Sequence, residues 1–192
     1  MKKFSLNTKA TFIFALMYMI LFSAVFLFKL TFSLQALILS FGGLIAIWLA
    51  GHRLEPKYYL GAQIFLFFAE GLGAGLQFYA LISFYDVIMH LCSGILLSFL
   101  GEYSLKILNK GKNTSLPKTI HHTYCLLFSV ACAGLWEIWE FSGDKIFGLD
   151  SQLGSLDDTM TDIISGTTGS VIGVIILIAI KKISRTTTDK KT

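Results

Sequence analysis

The stretch TFIFALMYMILFSAVFLF, residues 11 to 28, runs for eighteen positions without a charged side chain. An α-helix of that length rises about 27 Å, close to the roughly 30 Å hydrocarbon thickness of a bilayer. In lipid the backbone polar groups must be satisfied within the segment itself, and a helix does this. The stretch therefore predicts a transmembrane helix.

The rest of the chain has the same apolar character. Its 192 residues are 54% hydrophobic, and the mean hydropathy is +0.68. A soluble domain of this size needs a largely polar surface, so the composition predicts an integral membrane protein. The formal net charge of +4 comes from basic residues between apolar runs and at the chain ends. No basic patch alternates with aromatic residues, which argues against a nucleic-acid partner.

Five further apolar stretches approach the length of a membrane-spanning helix. The fold class predicted from them is an all-α, polytopic transmembrane bundle of about six helices. One domain, residues 1–183, would hold the helices, and residues 184–192 would form a flexible basic cytoplasmic tail. The six predicted spans are Thr11 to Phe28, Phe32 to Ala50, Tyr58 to Ala80, Phe84 to Leu108, Thr123 to Phe141, and Ile163 to Ile180.

The distribution of lysine and arginine predicts the orientation of these spans. Cytoplasmic loops retain positive charge. With the N-terminus inside, 14 of the 16 basic residues lie on the cytoplasmic side, and only Lys29 and Lys145 lie outside. The count predicts that both termini are cytoplasmic.

Carboxylates show the opposite bias. Eight of the twelve acidic residues map to the outer helix ends or the outer loop. Among them are three short motifs in which two polar residues lie three or four positions apart, a spacing that puts both on one helix face. The pairs are Asp86 with His90, Glu137 with Glu140, and Asp158 with Asp162.

Carboxylates that converge repel one another unless they share a proton or a cation. Ionisable groups at membrane depth usually face a bundle interior or a water-filled cavity, so the motifs predict a common site. Oxygen ligands with one imidazole suit a divalent metal such as Mg²⁺, Mn²⁺, Ca²⁺ or Zn²⁺. His90 and Glu137 are the predicted catalytic residues. The predicted metal ligands are Asp86, His90, Glu137, Glu140, Asp158 and Asp162.

Each motif also has a structural interpretation. Asp158 and Asp162 could cap a helix and interact with its dipole. His90 could be a packing histidine with a hydrogen-bonded neighbour. Glu137 and Glu140 could be solvated charges at a helix end. The coincidence of all three motifs at one membrane depth favours a shared site over these separate interpretations.

Two other charged positions stand out. Glu70 lies near the middle of the third predicted span, where a charge is costly and a functional role is favoured. Glu102 and Lys106, four residues apart at a cytoplasmic helix end, predict a local ion pair.

The three motifs, in this order from Asp86 onward, resemble those of a family of small, uncharacterised bacterial inner-membrane proteins of the YjdF type. More distantly, the chain is similar to the VanZ-like membrane proteins associated with teicoplanin resistance. The VanZ-like pattern has glutamine where this chain has Glu140 and asparagine where it has Gly166, so glycopeptide resistance does not carry over. The resemblance implies a multi-pass protein of the bacterial cytoplasmic (inner) membrane and assigns no reaction.

Three functions remain open at this point. The first is a metal-dependent hydrolase or transferase that acts on a lipid or lipid-linked envelope substrate. The second is an ion- or proton-coupled transporter in which Glu70 continues the route inward. The third is an accessory or scaffold membrane protein whose acidic outer surface binds a partner.

Overall fold

The computed structural model describes residues 5–28, 34–51, 54–110, 116–149, 151–152 and 155–189, and for residues 34–35 and 184–189 it describes the backbone alone. Some of the charged residues that enter the charge distribution lie outside these ranges. These residues lie outside the described ranges: Lys2, Lys3, Lys29, Arg53, Lys112, Asp150, Lys190 and Lys191.

All regular structure in the described ranges is helical, which confirms the all-α fold class. The elements are α1 (Leu6–Leu27), α2 (Leu34–Gly51), α3 (Pro56–Leu66), a π-helix (Phe67–Gly75), α4 (Phe78–Leu81), α5 (Tyr85–Leu108), α6 (Lys118–Phe147) and α7 (Leu156–Asp189).

Four of the described helices are long and apolar enough to cross a membrane: Leu6–Leu27, Tyr85–Leu108, Lys118–Phe147 and Leu156–Ile183. A shorter apolar helix covers Ala36–Gly51. Large apolar side chains on these helices are widely exposed, as lipid-facing positions require; Phe12, Leu135 and Ile164 are examples. The count of six spans and the cytoplasmic placement of both termini stay predictions.

The third predicted span, Tyr58 to Ala80, is not one regular α-helix. It begins as α3, widens into the π-helix, and breaks at Gln77, whose φ of 60° lies in the left-handed region. The π-helix is rich in glycine, and its Gly71, Gly73 and Gly75 are buried. Glycine weakens a regular α-helix and permits close approach of neighbours. A Cβ on Gly73 would overlap the ring of Tyr79.

The chain folds into two compact units, Met1–Met89 and His90–Thr192. In the first unit, an aromatic cluster joins α1 to α2 and to the segment around Phe67, with Tyr18 at its centre and no exposed surface. The Tyr18 ring lies 5.3 Å from that of Phe67 and 5.8 Å from that of Phe41, centroid to centroid. The first unit therefore has a core of its own.

Polar side chains lie inside this first unit as well. The Tyr59 hydroxyl is 2.6 Å from Thr11 Oγ1 and accepts from Gln63 Nε2 at 3.1 Å. Gln63 and Ser40 are fully buried, and Gln63 Oε1, Ser40 Oγ and Tyr18 OH have no protein hydrogen-bond partner. Buried polar groups without a partner are rare in folded proteins and call for an explanation such as water or an ion.

In the second unit, α5, α6 and α7 approach one another through small residues. A Cβ on Gly94 would overlap the backbone of Gly166, and one on Gly169 would overlap the carbonyl of Leu91. Small residues at these positions let two helix backbones meet closely, as in membrane helix pairs generally. The glycines thus set the spacing of α5 and α7.

Three buried serines hydrogen-bond across the same layer. Ser170 Oγ donates to Ser129 Oγ at 2.7 Å, and Ser129 Oγ donates to the Gly94 carbonyl at 2.8 Å. Ser98 Oγ donates to the Ser170 carbonyl at 3.1 Å. All three helices are therefore tied together about two turns from His90, Glu137 and Asp162.

The last helix is longer than predicted. α7 extends to Asp189, into the segment expected to be a tail. Side chains from residue 184 onward lie outside the described residues, so the flexibility of segment 184–192 stays a prediction.

Candidate metal centre

His90 is the centre of the acidic cluster. Its Nε2 lies 3.8 Å from Asp162 Oδ2, and its Nδ1 lies 4.0 Å from Glu137 Oε1. All three residues are buried, with 8% of His90 and 3% of each carboxylate residue exposed. One imidazole is thus flanked by a carboxylate on each ring nitrogen, away from water.

The close packing of the three helices produces this convergence. Gly166 lies one turn after Asp162 on α7, and a Cβ there would be 3.0 Å from Ala133 Cβ and 3.8 Å from the His90 carbonyl. Ala133 lies one turn before Glu137 on α6. Since the backbones meet one turn away, the longer side chains above them reach a common point.

Asp86 lies one turn before His90 on the same unbroken helix, α5. That helix carries its carboxylate to the imidazole, so the i, i+4 spacing has the expected result. One ligand atom from each of Asp86, His90 and Asp162 lies within 4.8 Å of the other two. A single ion could contact all three.

The donor set fits a divalent metal. Carboxylate oxygens with one imidazole nitrogen suit Mg²⁺, Mn²⁺, Ca²⁺ or Zn²⁺. Buried carboxylates that face each other across an imidazole need a compensating positive charge, which a bound metal or a protonated imidazole would supply. Glu137 faces the ring nitrogen opposite Asp162, the place of an outer carboxylate that orients a metal-binding histidine.

Two predicted ligands have other surroundings. Glu140 and Asp158 are half-buried and do not belong to the group whose ligand atoms meet within 4.8 Å. The hydroxyl of Ser155 accepts from the Asp158 backbone N–H at 3.3 Å, which makes Ser155 the N-cap of α7 and puts Asp158 in its first turn. Asp158 thus has the helix-end position that the structural interpretation allowed.

The structure adds Gln152, which the motifs did not indicate. Its Nε2 donates to Thr159 Oγ1 at 2.9 Å and lies 3.3 Å from the Glu137 carbonyl oxygen and 3.5 Å from Glu137 Oε2. The carboxylate of Asp144 holds this turn by accepting the backbone N–H groups of Ser151 and Gln152, at 2.8 and 3.0 Å. A lone glutamine in a loop has no spacing signal, so only the fold could reveal it.

A second polar cluster lies farther along the same helices. Lys181 Nζ is 2.9 Å from Glu102 Oε1 and 3.2 Å from His121 Nε2. The predicted pairing of Glu102 with Lys106 stays a prediction, and the ion pair observed at Glu102 joins α5 to α7. Tertiary packing brings Lys181 close, and local helix spacing could not show this.

Small and polar residues recur at every fourth position on the facing surfaces of α5 and α6. A step of four residues keeps positions near one helix face, and both rows combine small with polar residues. On α5 the row is Asp86, His90, Gly94, Ser98 and Glu102; on α6 it is His121, Cys125, Ser129, Ala133 and Glu137. Sequence reasoning could have found this signal, which selects Glu137 over Glu140.

A family model described as "Predicted membrane protein (DUF2238)" matches residues 7–183, nearly the whole chain. The chain belongs to this family. Membership agrees with the four membrane-capable helices and makes the DUF2238 chain a membrane protein, without assigning a reaction. No curated protein and no solved structure matches it. The finer resemblance to YjdF-type and VanZ-like proteins stays a prediction.

Proposed function

We propose that this DUF2238 protein is a metal-dependent hydrolase or transferase that acts on a lipid or lipid-linked envelope substrate. We place it in the bacterial cytoplasmic membrane, with the site toward the extracytoplasmic side. The observation that carries the proposal is His90, buried with Asp162 at one ring nitrogen and Glu137 at the other. His90 and Asp162 lie in the second turn of α5 and α7, near a helix end, which suits chemistry on a head group.

Each residue of the cluster has a separate role in this proposal. His90 Nε2, Asp162 and Asp86 would hold the ion, and Glu137 would accept a hydrogen bond from His90 Nδ1–H, which fixes the tautomer that leaves Nε2 free to bind. The ion would lower the pKa of bound water and polarise an ester or phosphoryl oxygen. The carboxylate oxygen of Asp86 or Asp162 that does not hold the ion would take the proton of the attacking water. Glu137 is thus a positioning residue in this scheme.

Replacing Glu137 with glutamine keeps the side chain's shape but removes the charge that orients His90. We expect divalent-metal affinity to fall about 10- to 100-fold, the usual effect of losing an outer-shell partner. Isothermal titration calorimetry of the purified protein with Mn²⁺ measures this change in affinity. The matched control is Glu140→Gln, one turn along the same helix, which should bind as the parent does. Equal losses in both variants would remove Glu137 from the site.

Activity is tested on the full chain in lipid nanodiscs. Products released from phospholipids and from a polyprenyl-phosphate lipid are followed by mass spectrometry, with EDTA treatment and then re-addition of Mg²⁺, Mn²⁺, Ca²⁺ or Zn²⁺. We expect the parent protein to turn over one of these lipids. EDTA should abolish this activity, and re-addition of one of the metals should restore it. The Asp162→Asn variant should be inactive. Stable lipids under every condition would reject the enzyme proposal.

Ion or proton passage is a second candidate, favoured by the interior of the first unit. Gln63, Ser40 and Tyr18 are fully buried there with polar atoms that lack protein partners, and Glu70 lies on the π-helix. π-helical segments occur frequently at functional sites. In liposomes with a pH-sensitive dye, Glu70→Gln should abolish proton flux if this function holds, while Asp162→Asn should not. Absence of flux in the parent excludes it.

A further inference from the structure

A groove of about 1080 Å³ runs along α6 and the start of α7, within the second unit. It is larger than most ligand pockets, which measure roughly 300–1,000 Å³. Its wall is mostly aliphatic and aromatic, with a few polar groups. The apolar lining residues are Ala131, Gly134, Leu135, Ile138, Phe141, Leu149, Leu156 and Ile163.

The groove reaches the candidate metal centre. Glu137 lies in its wall, together with Gln152 and Thr159, which are hydrogen-bonded to each other. Leu135 and Ile138 are each more than 60% exposed on a helix long enough to cross a membrane. An apolar groove among exposed apolar side chains, with a few polar groups within its length, suits an amphipathic molecule whose acyl chains lie along α6.

A single basic side chain, that of Lys145, lines the described groove, alongside the carboxylates of Glu137 and Asp144. Lys145 lies two turns after Glu137, about 12 Å along the axis. Its Nζ lies 5.5 Å from the centroid of the Phe141 ring, one turn back toward Glu137. A phosphate at this end of the groove would meet the Lys145 ammonium group.

From this arrangement we infer that the groove binds a glycerophospholipid of the surrounding bilayer, with its acyl chains along α6 and its phosphate at Lys145. The inference rests on the proposed function for its substrate class. The choice of phosphate follows from the Lys145 cation, and the choice of acyl chains from the wall of the groove.

Two variants test the two halves of the site separately. Gly134→Leu fills the groove without a clash, since a Cβ at Gly134 meets no atom within 4 Å. Gly42 on α2 offers the same open space and does not line the groove, so Gly42→Leu is the matched control. Lys145→Met keeps the apolar stem of the side chain and removes the charge.

The probes are phosphatidic acid with a photoactivatable acyl chain and diacylglycerol with the same chains, added to the full-length protein in detergent. We expect the parent to be labelled within residues 131–141 or 155–163, with phosphatidic acid captured about tenfold better, roughly 1.4 kcal/mol of binding. Lys145→Met should abolish that preference. Gly134→Leu should abolish both captures, and Gly42→Leu neither.

Equal capture of the two probes by the parent, or labelling unchanged in Gly134→Leu, would overturn the inference. Competition by a polyprenyl phosphate at lower concentration than by unlabelled phosphatidic acid would also overturn it, in favour of an isoprenoid occupant. Asp162→Asn separates this result from the proposed enzyme: the variant should retain acyl-chain labelling of the groove while lacking metal. If the parent captures phospholipid but binds no metal, the enzyme proposal fails, whereas the inference that the groove binds a phospholipid is supported.

Discussion

Replacing Gly169 with leucine is expected to prevent stable folding of the second unit. The carbonyl of Leu91 on α5 occupies the place of any Cβ at this position, so the obstacle is backbone and not a side chain that could rotate away. Overpacking usually costs about 1–3 kcal/mol, and a collision with backbone belongs at or above the upper end of that range. Thermal unfolding in detergent, followed by tryptophan fluorescence, should show the transition greatly lowered or lost.

Gly134→Leu is the control for this prediction, because it makes the same substitution on α6 in open space. Its transition should stay near that of the parent, since leucine also has a better helix propensity than glycine. If Gly169→Leu unfolded at the same temperature as Gly134→Leu, the close contact of α5 and α7 would be incorrect.

Asp162→Asn should abolish tight metal binding while the protein stays folded. Asparagine has nearly the shape of aspartate but lacks the negative charge facing His90 Nε2 at 3.8 Å. Loss of an outer-shell partner already costs about 10- to 100-fold in affinity, so loss of a direct ligand should cost at least about 100-fold. Titration with Mn²⁺, at matched protein concentration and confirmed monodispersity, measures the change.

Asp157 offers the matched control for Asp162. It lies in the first turn of α7 and is exposed, so Asp157→Asn should leave Mn²⁺ affinity unchanged. Metal binding by Asp162→Asn at the parent's affinity would mean that the ion, if bound, contacts other residues.

Sequence spacing placed Asp86 and His90 on one face, and the structure brings them together. The spacing within each motif could not choose between Glu137 and Glu140, or between Asp158 and Asp162. In each pair, one residue is nearly fully buried against neighbouring helices and the other is only partly buried. Which residue of a pair is buried depends on which helix face packs against a neighbour. That face is set by small residues on the other helices, and hydrophobic runs in the sequence do not reveal them.

Helix ends were the least predictable part of the fold. The fifth span was expected over Thr123 to Phe141, whereas α6 covers Lys118–Phe147 and ends at Gly148, whose φ of 66° is a left-handed cap. A span predicted from hydropathy ends at the first polar residues, but the backbone hydrogen bonds of the helix continue through them. Glu137 therefore lies inside the helix and not at its end.

The central claim is that one divalent ion is held by His90 with Asp86 and Asp162. X-ray absorption at the Mn edge of the Mn²⁺-loaded protein, beside a His90→Gln variant, tests it most directly. We predict one metal per chain with oxygen ligands and a single imidazole in the parent, and loss of the imidazole signal in the variant. Failure of the parent to bind Mn²⁺, Mg²⁺, Ca²⁺ or Zn²⁺ stoichiometrically, or an imidazole signal unchanged in His90→Gln, would contradict it.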